Sequence, residues 1–269
     1  MKKIPFELHT EVYTPKDIAK VLSLAVNDKN FTGNNKGEKF LNVPVSFDIE
    51  TTSFYRDEDG ETYSYERYMK LGGKETKMEK CSLMYVWQFG INGFCIMGRT
   101  WDEFLQMLSE IVDILELCPK KRIIIYVHNL AYEFQFFREL LEWEKVFSID
   151  LRKPIYGITK TGLEFRCSYL LSGYSLAKLG EQLHTYKCEK LVGDLDYSLL
   201  RHSKTPLTQK EIGYCLNDIK VVMCYIQELL ERYKGITRLP ITKTGFVRKY
   251  CRSVCFKTTD ETGKTIPNF

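Results

Sequence analysis

Hydrophobic and polar positions divide the chain into short apolar runs and a few longer amphipathic stretches. Val43 to Phe47 is short, apolar and β-branched, and predicts a buried strand. Ser82 to Phe89 and Gly93 to Gly98 predict two more strands, joined at Ile91-Asn92-Gly93, where the Asn-Gly pair favours a tight hairpin turn. Trp101 to Leu117 has apolar residues at helical spacing and ends at Cys118-Pro119, since proline cannot continue a helix. Lys121 to His128 predicts a buried strand feeding a helix that begins near Leu130. A strand pair follows over Ile155 to Tyr169 with its turn at Lys160-Thr161-Gly162, and then helices near Ser175 to Leu183 and over Thr208 to Lys234. In the last helix Ile212, Leu216, Ile219, Val222 and Ile226 recur at helical spacing. Strands first, then alternating strands and helices, predict an α/β class with a mixed sheet flanked by helices.

Three polar stretches frame this pattern. Residues 1–40 combine a short helix over Pro15 to Ala25 with a loop rich in Asn, Lys and Gly from Asn27 to Lys39, and are expected to form an amino-terminal extension of the domain at 41–234. Phe54 to Lys80 shows neither an apolar strand nor a helix and is expected to be a solvated insertion. Residues 235–269 form a basic tail: beyond Tyr233, eight Lys and Arg stand against Asp260 and Glu261. Phosphate contact is the functional reading of that tail, and a solvated linker is the plain one.

With 269 residues and 44% hydrophobic content the chain can bury one core, or one core and an appendage. A net charge of +4 permits a nucleic-acid partner without requiring one. Nine cysteines, an odd number with no Cys-x-x-Cys pair, read as reduced thiols and give no zinc pattern; Cys167, Cys215 and Cys224 sit inside apolar segments. The start MKKIPFELHT lacks a signal-peptide core and no apolar run reaches spanning length, so a soluble, cytoplasmic protein with no membrane partner is expected.

Candidate chemistry lies in three acidic signatures in fixed order. Asp48 and Glu50, in SFDIETT, follow the first strand, and the strand period of two puts them on one face. Glu133 lies in HNLAYEFQFF, and Tyr214 and Asp218, in YCLND, are one helical turn apart. Converging carboxylates suit hard divalent cations, which take oxygen ligands. Asp59-Gly60-Glu61 repeats the Asp-x-Glu spacing and Tyr55 stands four residues before Asp59, but both lie in the polar stretch, without a rigid element to hold them.

On SFDIETT, YVHNLAYEFQFF and YCLND, with GRTWDEF and GDLDY as further points of similarity, the stretch from Val43 to Tyr233 resembles the 3′-5′ exonuclease domain of family B DNA polymerases of the protein-primed phage and linear-plasmid type. The resemblance implies a ribonuclease H-like fold of the exonuclease group named for four acidic residues and a tyrosine. It implies two Mg²⁺ or Mn²⁺ ions, with Asp48 bridging both, Glu50 and Asp218 completing one site, Glu133 holding the second ion and Tyr214 orienting the attacking water. It also implies that Thr51, Tyr126, His128, Asn129, Tyr132 and Phe136 handle a single-stranded DNA 3′ end, and that a polymerase-domain chain and a terminal protein primer are partners. Two departures stand out. The second motif has Glu133 where the family has Asp, and the family's polymerase signatures have no counterpart in this sequence. A free-standing exonuclease acting on short RNA and a catalytically degenerate single-strand-binding module are the alternative readings.

Overall fold

The computed structural model describes residues 5–188 and 199–255, with 258–259, 262 and 265–266. The first half runs β1 (Val12–Tyr13), α1 (Ile18–Ala25), β2 (Phe31–Gly33), β3 (Lys39–Leu41), β4 (Val45–Arg56), β5 (Thr62–Tyr63), α2 (Tyr65–Lys70), β6 (Glu79–Ile91), β7 (Phe94–Gly98) and α3 (Trp101–Ile114). The second runs β8 (Lys121–Val127), α4 (Leu130–Phe137), β9 (Trp143–Asp150), β10 (Lys153–Thr159), β11 (Leu163–Cys167), α5 (Ser168–Ser172), α6 (Leu176–Glu181), α7 (Gln209–Tyr233) and α8 (Lys243–Cys255). A two-stranded pair, β12 (Thr258–Thr259) and β13 (Thr265–Ile266), follows.

The main sheet has the order β1-β7-β6-β4-β8-β11-β10-β9. β7, β6 and β4 pair antiparallel, β4, β8 and β11 parallel, and β11, β10 and β9 antiparallel, so the sheet is mixed. At the β6–β7 hairpin Asn92 and Gly93 both take positive φ, 46° and 91°, the conformation that an Asn-Gly turn adopts most cheaply. One face of the sheet carries the main core, in which Phe47, Ile49, Trp87 and Phe89 meet Phe104 and Leu108 of α3 and Phe134 and Phe137 of α4. The other face is covered by α7, whose Leu216, Ile219, Val222, Met223 and Ile226 pack on it.

Residues 1–40, set apart in the sequence as an extension, contribute to the same body. Ile18, Val21, Leu22 and Ala25 of α1 lie in the main core, and β1 extends the sheet beside β7. The stretch from Phe54 to Lys80, expected to be a solvated insertion without an apolar strand or helix, is largely exposed but carries secondary structure. β4 runs on to Arg56 and pairs with β6 down to Glu79, forming a two-stranded arm capped by β5 and α2. Within it Tyr55 stacks on Tyr68 at 3.7 Å, and Asp57 accepts hydrogen bonds from Asp59 N and Glu61 N, so the second Asp-x-Glu pair is a turn. At the root of the arm Glu50 pairs with Val86 but Thr51 with Met84, leaving Tyr85 as an extra residue in β6, a β-bulge. The edge strand β9 has no sequence signature because every residue after Trp143 is exposed and no alternation develops. GDLDY (193–197) lies outside the described residues. Among the described residues no helix is long and apolar enough to cross a membrane.

Candidate active site

Alternation along β4 sets up the site. Val45, Phe47 and Ile49 enter the main core, so Ser46, Asp48 and Glu50 face α7. The helix is started by a reciprocal cap in which Thr208 Oγ1 accepts from Glu211 N while Glu211 accepts from Thr208 N. It is then drawn onto β4 by fully buried Ser46, whose hydroxyl donates to the Ile219 carbonyl at 3.0 Å. Gly90, paired with Ser46 across the sheet, makes this approach possible. A Cβ there would lie 2.7 Å from Met223 Sδ and 3.0 Å from Ser46 Oγ.

Because Ile219 is held over Ser46, Asp218 comes down beside Asp48. One carboxylate oxygen from each of Asp48, Glu50 and Asp218 lies within 4.8 Å of the others. Glu50 and Asp218 are buried and Asp48 is partly open. Tyr214 is half-buried one turn before Asp218 on the same face of α7.

Glu133 arrives from another direction. β8 pairs with β4 only at Ser46 and Phe47 and stops at Val127, leaving β4 without that neighbour from Asp48 onward. The chain turns there through Asn129, at φ 73°, a left-handed conformation that Asn tolerates better than most side chains, and starts α4. Leu130, Phe134 and Phe137 anchor α4 in the core and bring Glu133, 5% exposed, to the gap. Its carboxylate lies outside the cluster of three. Burial pushes the Glu133 carboxyl up to about 8, and the negative charge of nearby Glu50 adds to this. Burial also raises the Tyr85 phenol and the Cys215 thiol, and in both cases the charge of Glu50 is the next cause. The carboxylates thus impose a negative field on their surroundings.

Thr51 and Tyr132 form the rim, their hydroxyls 2.6 Å apart, which joins β4 to α4. Tyr132 is 42% exposed and its ring lies 5.2 Å from that of Phe136, which is half-buried against the core. Asn129 is exposed, and His128, just past the end of β8, places Nδ1 3.0 Å from Ser168 Oγ. Tyr126 is different. It is 1% exposed in the core between β8 and α7, so it offers no face to a base and its role is packing, because β8 is a central strand buried on both sides. Two residues escaped the sequence reading. Ser46 shares the period-two polar phase of Asp48 and Glu50, which could have exposed it, and Gln88, fully buried opposite Asp48, interrupts an apolar strand at the same phase.

The donor set suits hard divalent cations: three converging carboxylates, and a buried Glu133 Oε2 that makes no hydrogen bond among the described residues.

No protein-family model and no curated protein matches the sequence. Solved structures do match. Phi29 DNA polymerase complexed with primer-template DNA and incoming nucleotide substrates aligns with TM-score 0.54 at 15% identity, over 78% of this chain and 34% of that one. Phi29 DNA polymerase complexed with single-stranded DNA aligns with TM-score 0.54 at 16% identity, over 81% of this chain and 35% of that one. The chain therefore spans about a third of the length of these polymerases. A central mixed sheet flanked by helices, in the arrangement shared with these neighbours, is a ribonuclease H-like α/β fold.

Proposed function

We propose that this chain is a 3′-5′ exonuclease of the type found in protein-primed family B DNA polymerases, removing nucleotides from DNA 3′ ends. The observation that carries the reading is the convergence of Asp48, Glu50 and Asp218 within 4.8 Å. The order and spacing of the acidic motifs support it, as does the likeness of the fold to a DNA polymerase.

Asp48, Glu50 and Asp218 would hold one or both divalent cations, Mg²⁺ or Mn²⁺, with Glu133 supplying a further carboxylate oxygen. Such ions supply positive charge to the attacking and leaving oxygens of a phosphoryl displacement. The remaining work falls to side chains. Tyr214 donates its phenolic hydrogen bond to orient the attacking water, a role that suits a phenol better than that of a base, since phenols in general ionise only near pH ~10. Tyr132 and Phe136 present ring faces to the terminal bases, a sequence-tolerant contact suited to a proofreader. Thr51, hydrogen-bonded to Tyr132, fixes that ring relative to Asp48, while Asn129 and His128 offer hydrogen bonds to sugar or phosphate. The longer Glu133 side chain starts from a helix that the core holds back from the cluster, which keeps its carboxyl within reach of an ion.

The test is digestion of 5′-labelled single-stranded DNA by the purified chain. Shortening from the 3′ end that requires Mg²⁺ or Mn²⁺ and is abolished by Asp48→Ala is expected. Activity that survives a chelator, or that is unchanged in the variant, rules the assignment out. A matched RNA substrate cut faster than DNA favours an RNA exonuclease instead.

A further inference from the structure

Charge on this chain is segregated. From Arg232 to Cys255 there are seven Lys and Arg and no Asp or Glu, whereas the other 32 Lys and Arg face 35 Asp and Glu, so everything outside this segment is net acidic. None of the seven pairs with a carboxylate among the described residues, although ion pairs are frequent elsewhere on the surface.

The fold gathers these cations around a concavity. Where α7 ends, the chain turns back and α8 lies across the turn, forming a groove of about 490 Å³ lined by Arg232, Lys234, Arg238 and Lys249, with no acidic residue in its lining among the described residues. The turn is made by Lys234 at φ 61° and Gly235 at φ 128°. A lysine thus occupies a left-handed position that favours glycine, and it stands at the mouth of the groove. Lys249 Nζ donates to the Arg238 carbonyl, which fixes α8 against the turn. Aromatic rings line the same groove: Tyr233 and Phe246 stack at 4.8 Å, and Tyr250 is 71% exposed beside them. α8 buries no residue, so Tyr250 is not part of a core.

We infer that this groove is a second nucleic-acid contact, specific for single strands, about 20 Å along α7 from the carboxylates. Cations with no carboxylate partner among the described residues, lining a groove, suit a phosphodiester backbone, and an exposed ring among them suits an unstacked base. That combination defines single-strand binding without sequence readout. An anionic lipid surface would use the cations but gives Tyr250 no stacking partner, and a duplex keeps its bases stacked inside. The site does not depend on the exonuclease reading, because it needs neither a 3′ end nor a metal.

The experiment measures binding of a fluorescent circular single-stranded DNA, which has no 3′ end, to the full chain carrying Asp48→Ala, in EDTA, across a salt series. Arg232→Gln with Arg238→Gln, which leave the Lys249 bond to the turn intact, should weaken binding about tenfold at moderate salt and lower the log–log salt slope by roughly 1.4, two phosphate contacts on a single strand. Tyr250→Ala should cost about fivefold or more and Tyr250→Phe should restore it, since stacking needs the ring and not the hydroxyl. All these positions are exposed, so unchanged circular dichroism is expected. Undiminished binding in the double variant overturns the inference. So does a loss limited to phosphatidylserine vesicles, or equal loss for Tyr250→Ala and Tyr250→Phe.

Discussion

Glu133→Gln isolates the electrostatic cost of the site. In the metal-free protein burial and Glu50 hold the Glu133 carboxyl at about 8, against the ordinary 4.5. The folded state therefore keeps the proton that the unfolded chain releases. This contribution to stability is complete below about pH 4.5 and is lost as pH rises through 8. At ~1.4 kcal/mol per pH unit the ceiling on the loss is ~5 kcal/mol. Relaxation and water entry at the gap beside β4 lower the expected value to ~2–3 kcal/mol. Gln has nearly the same shape and never ionises, so the variant should match the wild type at pH 5 and be more stable by that amount at pH 8.5. Urea unfolding in EDTA at the two pH values measures it. Divalent cation added at pH 8.5 should stabilise the wild type more than the variant, since a bound ion favours the ionised carboxyl. Parallel pH dependence of wild type and Glu133→Gln would refute the account, because the charge on Glu133 would then be solvated.

The remaining expectations concern geometry. Shortening the side chain by Glu133→Asp should lower cleavage and Glu133→Ala should nearly remove it, whereas faster cleavage by Glu133→Asp in single-turnover assays would mean that α4 has not receded to suit the longer acid. Gly90→Ala places a methyl against Met223 and should destabilise the protein by ~1–3 kcal/mol and slow cleavage, with part of the loss recovered in Gly90→Ala/Met223→Ala. Melting and digestion of the single and double variants test whether the cost arises at that contact. Tyr132→Phe removes the hydroxyl bond to Thr51 but keeps the ring, so KM should rise about fivefold, the worth of one hydrogen bond, with kcat held; an unchanged KM separates that bond from substrate binding.

The elements that position the carboxylates were legible because each is covered on a defined side. The helix from Gln209 to Tyr233 repeats its apolar residues at helical spacing against one sheet face, and the Asn-Gly hairpin turn is local chemistry. What failed had no such local signal. The arm is polar because two strands and a short helix bury little between them, and its order comes from pairing with a strand some twenty residues away. β9 is exposed along its length, so neither face leaves a pattern. Tyr126 sits in a strand buried on both faces, where an uninterrupted apolar run gives no means of telling a packed ring from a rim ring. The joining of α1 to the main core is a long-range event that its own amphipathic pattern leaves without an address.

The extra residue at Tyr85 also has a kinetic meaning. A bulge interrupts the ladder of backbone bonds just beyond Glu50, so the two strands on its far side are secured mainly by each other. Amides from Val45 to Glu50 sit under α3, α4 and α7 and are expected to exchange with solvent only when the whole domain opens, whereas those from Ser53 to Arg56 should exchange when the arm alone unzips. The bulge is therefore a firebreak. Fluctuations that begin in the arm should end at Tyr85, so that the two acids of the first motif keep their places if the strands next to them come apart.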